Sequence, residues 1–282
     1  MKNQEKQAFI SRHTEKVKDK KIESKQYPGI TEKGVDIAKE RAKKEILELI
    51  EQSEPGSVIF IGGATEQVRT KSTAEVYGDE LKEALKNRED EFLVIIRKDI
   101  QEKAKEKGYT KTVEQIVEAL NANQDKKVII DFPMFLKDFS MERLGWVDKQ
   151  GNLTQYADKL LKRNNDDDYA SAKDWIENKG KMGDLEGPDP EEAAKGYKRA
   201  IERLEEFAKK YIGDRPLVIG MVGHSWDIEA YMTYLLNHGR VDVEGFEKIA
   251  KGRIIGDAEL TKIKISPIMT TVSYRGEDFV VK

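Results

Sequence analysis

The stretch Ala8-Phe9-Ile10-Ser11-Arg12-His13-Thr14 decides the reading of the fold. A short, mostly apolar run ends abruptly in a guanidinium and an imidazole. That is the pattern of a buried strand delivering polar groups at its carboxyl end. Leu217-Val218-Ile219-Gly220-Met221-Val222-Gly223-His224-Ser225 repeats it near the other end of the chain. Working outward, runs of similar length predict strands at 8–11, 57–62, 92–97, 127–132, 216–222 and 261–266. Amphipathic stretches lie between them. Thr31 reads as an N-cap, and Val35, Ala38, Ala42, Ile46 and Leu49 follow at helical spacing. Asp189-Pro190-Glu191-Glu192 opens another helix, with Ala194, Tyr197, Ile201, Leu204, Ala208 and Tyr211 on one face and Gly213 placed to stop it. Strands alternating with helices predict a three-layer α/β fold, a mostly parallel sheet with helices on both faces.

The segment at about 140–187 breaks the rhythm. It is polar, and it reads as a helical or loop insertion near the active-site mouth, within a single domain spanning 1–282. Between Asn164 and Glu192 ten acidic residues face three basic ones, a local balance of −7. Trp146, Trp175 and Trp226 are expected as core or lid packing, and Trp146 and Trp175 line the pocket mouth if the insertion folds over it.

Composition narrows the class of function. Of 282 residues, 38% are apolar and 37% charged, but 50 basic and 53 acidic side chains leave a net charge of only −3. Bulk charge therefore does not suggest a nucleic-acid partner. The absence of cysteine removes disulfides, zinc–thiolate sites, iron–sulfur clusters and thiol nucleophiles. No apolar run approaches the ~18 residues of a membrane span, and the polar N-terminus lacks a signal-peptide core. A soluble cytoplasmic protein with a small-molecule partner is the expectation, with no nucleic acid, membrane, cofactor or metal.

In open α/β sheets ligands sit outside the carboxyl ends of the strands. Arg12 and His13 follow the first strand, Arg69 lies one turn into the helix after the second, and His224 follows the 216–222 strand. Two imidazoles and two guanidiniums converging on one point suit a phosphoryl group. Arginine donates in a fork to phosphate oxygens, and a neutral imidazole nitrogen can attack phosphorus. His238, by contrast, reads as a helix C-terminal cap. Gly62-Gly63 lacks the Lys-Ser/Thr of a P-loop, and the run Asp166-Asp167-Asp168 lacks the ligand spacing of a calcium loop.

At these residues the chain resembles the histidine phosphatase superfamily, the phosphoglycerate-mutase-like proteins. The resemblance is carried by Phe9-Ile10-Ser11-Arg12-His13-Thr14, by Tyr27-Pro28-Gly29-Ile30-Thr31-Glu32-Lys33-Gly34, by the stretch from Val58 to Ala74 around Arg69, and by Leu217 to His224. It implies that His13 is the nucleophile that becomes phosphohistidine, with Arg12, Arg69 and His224 holding the phosphate. It also implies a catalytic carboxyl group. Leu136-Lys137-Asp138 followed by Gly145-Trp146 fits that outline and gives Asp138, with Asp131 and Glu142 as competitors. The chain departs from the family pattern in carrying Thr14 where a glycine is usual, and in an extra strand–helix pair between Asn87 and Lys127. The function expected is a metal-independent phosphomonoesterase acting on a small phosphorylated metabolite. A phosphoglycerate-mutase-like phosphotransferase and a non-catalytic phospho-ligand binder are the alternatives.

Overall fold

Ten strands appear in the computed structural model, which describes residues 6–96, 109–131, 139–266 and 268–281. They are β1 (Lys6–Arg12), β2 (Val58–Gly63), β3 (Phe92–Ile95), β4 (Lys127–Asp131), β5 (Lys181–Met182), β6 (Leu185–Glu186), β7 (Leu217–Gly223), β8 (Leu260–Ile265), β9 (Thr270–Tyr274) and β10 (Glu277–Val281). Eight form one sheet in the order β10-β9-β8-β1-β7-β2-β4-β3, and β5 and β6 make a separate ribbon. From β1 through β7, β2 and β4 to β3 every pairing is parallel. On the other side of β1, β8, β9 and β10 pair antiparallel. The sheet is therefore mostly parallel, as the alternation of elements predicts.

Both faces are covered. Phe9, Ile59, Ile61, Ile129 and Val218 pack in one core with Val35, Ala38, Ile46 and Leu81 of the N-terminal helices. Their neighbours along the strands, Ala8, Ile10, Phe60, Ile130 and Met221, pack in the other with Tyr197, Leu204 and Ile228. This alternation is the period of two that a strand imposes, with both sides apolar because both are buried. The N-terminal helix begins at Glu32, and the Thr31 hydroxyl accepts from Gly34 N as the sequence predicts. It passes through a π turn (Ala42–Ile46) into Leu47–Gln52. The Pro190–Tyr211 helix starts on the Asp189 carboxylate, and Lys209 and Lys210 lie in its last turn, where their charge suits the helix dipole.

The insertion is more built than its polar sequence suggests. Helices Met141–Leu144, Gln155–Arg163 and Asp168–Asn178 precede the β5–β6 ribbon. Trp146 and Trp175 do not line a pocket mouth: they are 3% and 0% exposed and belong to the core. Each indole N–H needs an acceptor when buried. Trp146 Nε1 donates to Asp227 Oδ1 at 3.0 Å and Trp175 Nε1 to the Pro188 carbonyl at 2.6 Å. His238 is exposed at φ +54° just beyond the Ser225–Leu236 helix, whose C-cap is Asn237. Among the described residues, no helix is long and apolar enough to cross a membrane.

Candidate functional site

Three neighbouring parallel strands end at one level. In register Arg12 pairs with Gly223 and Gly63 with Val222, and beyond the strands His13 N donates to Gly223 O at 3.0 Å and Ala64 N to Val222 O at 2.8 Å. His13, His224 and the loop leading to Arg69 are thereby set side by side. Two helices begin here, Val68–Leu85 after Gln67 and Ser225–Leu236 after His224, and neither has a side-chain cap. Six other helices are capped by Thr31, Ser140, Thr154, Asp167, Asp189 and Asp242. A helix start left uncapped offers free N–H groups and positive dipole ends, which suit an anion.

Arg69 bridges the two histidines. Its Nε donates to His13 Nε2 at 3.2 Å, its Nη2 to His224 Nδ1 at 3.4 Å and its Nη1 to Gln67 Oε1 at 3.2 Å. Guanidinium nitrogens only donate, so both imidazole nitrogens facing Arg69 carry lone pairs. The remaining protons follow. His13 Nδ1–H donates to the Thr14 carbonyl at 2.7 Å, which leaves Nε2 as the nucleophilic nitrogen. His224 Nε2–H donates to Thr65 Oγ1 at 3.1 Å, Thr65 donates to Thr70 Oγ1 at 3.0 Å, and Thr70 donates to Gln67 O at 2.8 Å. The ring centroids lie 5.2 Å apart at 67°. Burial, then Arg69, hold His13 down to about 3, against the opposing pull of its bond to Thr14. The same two causes hold His224 well below the ordinary histidine value. Both rings are therefore neutral at pH 7. Burial and the proximity of Arg12 pull Arg69 itself to about 10, so it stays charged.

Arg12 approaches from β1. Its Nη1 donates to Ile255 O at 2.8 Å, while Asp168 lies 3.5 Å from Nη2 and Asp257 3.6 Å from Nε. Thr14, which replaces the glycine of the family pattern, is fully buried and donates to Gly34 O at 2.8 Å. A Cβ on Gly34 would come within 3.1 Å of the Thr14 methyl and 3.0 Å of the Glu15 carbonyl, so the close passage of the helix over this loop needs a glycine at 34. Residues that sequence reasoning missed are Thr65, which orients His224, and Glu66, whose carboxylate accepts from Met141 N and Glu142 N and so ties the Arg69 loop to the insertion. Lys16 is also part of this charge cluster, its ammonium pulled down by partial desolvation and by Arg69.

The carboxyl candidates separate. Asp138 lies outside the described residues. Asp131 is 1% exposed and lies against Gly78, nine residues along the helix from Arg69, about 13 Å at 1.5 Å per residue. Glu142 is exposed on the first turn of the Met141–Leu144 helix. Among the described residues no group of three or more His, Asp or Glu side chains is arranged to hold a metal ion.

No family model matches the chain, and no curated protein matches it. Solved structures with a similar course of the chain include a mycobacterial glucosyl-3-phosphoglycerate phosphatase, 14% identical over 93% of this chain and 91% of that one, with a TM-score of 0.43. Another is a phosphoglycerate mutase from Bacillus anthracis, 13% identical over 98% and 94%, with a TM-score of 0.48. The resemblance to the histidine phosphatase superfamily rests on the motifs themselves, and the fold gathers Arg12, His13, Arg69 and His224 at one end of the sheet.

Proposed function

We propose that the protein is a metal-independent phosphomonoesterase that acts on a small phosphorylated metabolite through a phosphohistidine on His13. The observation that carries this reading is Arg69, a cation poised between two neutral imidazoles, whose hydrogen-bond acceptors among the described residues include no carboxylate. An arriving phosphoryl group supplies the anionic acceptors the guanidinium lacks and draws it off the His13 lone pair. His13 Nε2 then attacks phosphorus, the P–N bond forms as the P–O bond to the leaving alcohol breaks, and the alcohol oxygen takes a proton from a carboxyl group, for which Asp138 is proposed. The Nδ1–H bond to Thr14 keeps the ring oriented and accommodates the positive charge it acquires. Water then attacks the phosphohistidine, the carboxylate takes its proton, and phosphate leaves. Arg12, Arg69 and the two helix starts stabilise charge on the transferring group, the largest contribution such a site makes, and His224 joins them once the arriving anion draws a proton onto its Nδ1.

Hydrolysis of p-nitrophenyl phosphate in EDTA, compared between the wild type and His13→Ala, tests the proposal. The wild type is expected to turn over and to trap a phosphoenzyme on rapid quench. His13→Ala is expected to lose at least about 10⁴-fold in kcat, the scale of removing a nucleophile. Activity that survives His13→Ala, or that EDTA abolishes, overturns the reading. Transfer of the label to a second hydroxyl in place of water would make the same intermediate that of a mutase.

A further inference from the structure

Arg12 is held differently from Arg69. Two carboxylates reach it from separate segments, Asp168 from the insertion and Asp257 from the loop before β8. At 3.5 and 3.6 Å neither makes a close, directed pair with it. Among the described residues, no hydrogen-bond acceptor lies in reach of the buried Arg12 Nε. The Asp168–Asn178 helix is already capped by Asp167, so Asp168 is not needed to start it, and its side chain is 49% exposed. Burial pushes the Asp257 carboxyl up against the pull of Arg12, and Glu15, Lys33 and Asp168 act on it after these. The Glu15 carboxylate is itself held by the Thr31 hydroxyl at 2.6 Å. Carboxylates from three parts of the chain thus stand on the Arg12 side of the phosphoryl site, with Lys33 3.5 Å from Glu15 and Lys16 in the same charge cluster.

We infer that Asp168 and Asp257 are specificity-determining residues that admit phosphomonoesters of uncharged polyols and reject those whose leaving group carries a second anionic group. The inference rests on the phosphatase reading of the site and deepens it. The transferring phosphoryl group gains its attraction from Arg69, Arg12 and the two helix starts. A further carboxylate or phosphate on the leaving group meets Asp168 and Asp257 in a setting less screened than bulk water, where like charges repel strongly. Hydroxyl groups, in contrast, donate to the same carboxylates. The insertion, through Asp168, then sets selectivity without taking part in the chemistry.

Glycerol 3-phosphate and 3-phosphoglycerate form a closely matched pair, differing in a hydroxymethyl against a carboxylate. The test is the ratio of their kcat/KM values, in which any general effect of a substitution on phosphate binding cancels. The wild type is expected to favour glycerol 3-phosphate at least tenfold. Asp168→Asn and Asp257→Asn, which keep the side-chain shape, are each expected to shrink the ratio by threefold or more. Asp184→Asn, in the turn of the β5–β6 ribbon, is expected to leave it unchanged, and added salt is expected to narrow it. Turnover of both substrates at similar rates, or a ratio that neither Asp168→Asn nor Asp257→Asn moves, overturns this inference and leaves the phosphatase reading standing. No His13-dependent turnover of these or of an aryl phosphate overturns both.

Discussion

Two arginine centres, one around Arg69 and Arg12 and one around Arg275, are linked through Ile255, and they are built on opposite principles. Arg275 pairs with Glu229, side chains 7% and 0% exposed, and the carboxylate also accepts from Tyr274 OH at 2.7 Å and Ile255 N at 2.6 Å. Arg275 also donates to the Ala250 and Arg253 carbonyls. There a cation meets an anion and each makes several hydrogen bonds, as a structural ion pair requires, while Arg275 Nε, like Arg12 Nε, has no acceptor in reach among the described residues. Among the described residues the hydrogen-bond acceptors of Arg69 are all neutral, with the Glu66 carboxylate nearby but not bonded to it, beside two helix starts without caps. Ile255 connects the centres, its N–H held by Glu229 and its carbonyl holding Arg12. The matched centre completes the fold. The unmatched one is left for a ligand to complete.

If that distinction holds, the largest effect to expect is in stability against pH. His13 sits near 3 in the folded protein and at the ordinary 6.5 once unfolded. A depressed histidine contributes stability in full above the unfolded value and loses it as the pH falls toward the folded one. At 1.36 kcal/mol per pH unit this amounts to about 5 kcal/mol over the whole window. Asp227 works in the opposite sense. Burial raises it from 3.8 to about 6, so it costs stability as the pH rises through that range. Urea unfolding between pH 7.5 and 4 is expected to show stability falling with acid, more steeply in Asp227→Asn and less steeply in His13→Gln. A His13→Gln profile that superimposes on the wild type breaks the description of this centre. Next in size is the matched centre. Glu229→Gln leaves the Arg275 guanidinium buried without its carboxylate and is expected to cost about 3–5 kcal/mol in a urea midpoint analysis. A loss below 1 kcal/mol would mean that the pair is not structural.

How far the chain discloses this beforehand depends on the distance over which each signal acts. β1, β2 and β7 are legible because strands buried on both faces read as continuous apolar runs, each ending in groups that mark the site. The β9–β10 hairpin escapes this reading. β10 is the edge strand and β9 its inner neighbour, both with patterns of partial exposure, and the turn is Arg275-Gly276 at φ +55° and +78°. The caps at Thr31 and Asp189 are legible because capping is decided within four residues. His13, Arg69 and His224 are legible as strand-end chemistry. Thr65 is not, since its partner His224 lies 159 residues away. Asp168 and Asp257 are equally silent, because only the packing of the insertion and the β8 loop brings them to Arg12. Trp146 and Trp175 are legible as core packing, and what the sequence does not disclose is the buried acceptor of each N–H, Asp227 Oδ1 and the Pro188 carbonyl.

The smallest effect separates the two centres most cleanly. A ligand that binds only the folded state stabilises it by RT ln(1 + [L]/Kd), about 2.7 kcal/mol at a hundred times Kd. For a chain of this size that corresponds to a rise in Tm of about 5 °C. Inorganic phosphate is expected to produce such a rise in the wild type and in His13→Ala, which keeps both guanidiniums. Arg69→Ala and Arg12→Ala are expected to abolish it. Glu229→Gln is expected to start from a lower Tm and to keep the increment, because the ion pair supports the scaffold and does not itself contact the anion. If phosphate instead rescued Glu229→Gln beyond the wild-type increment, the anion would be binding at Arg275. The two arginine centres would then be interchangeable in kind, and the reading of Arg69 as the one left open would fail.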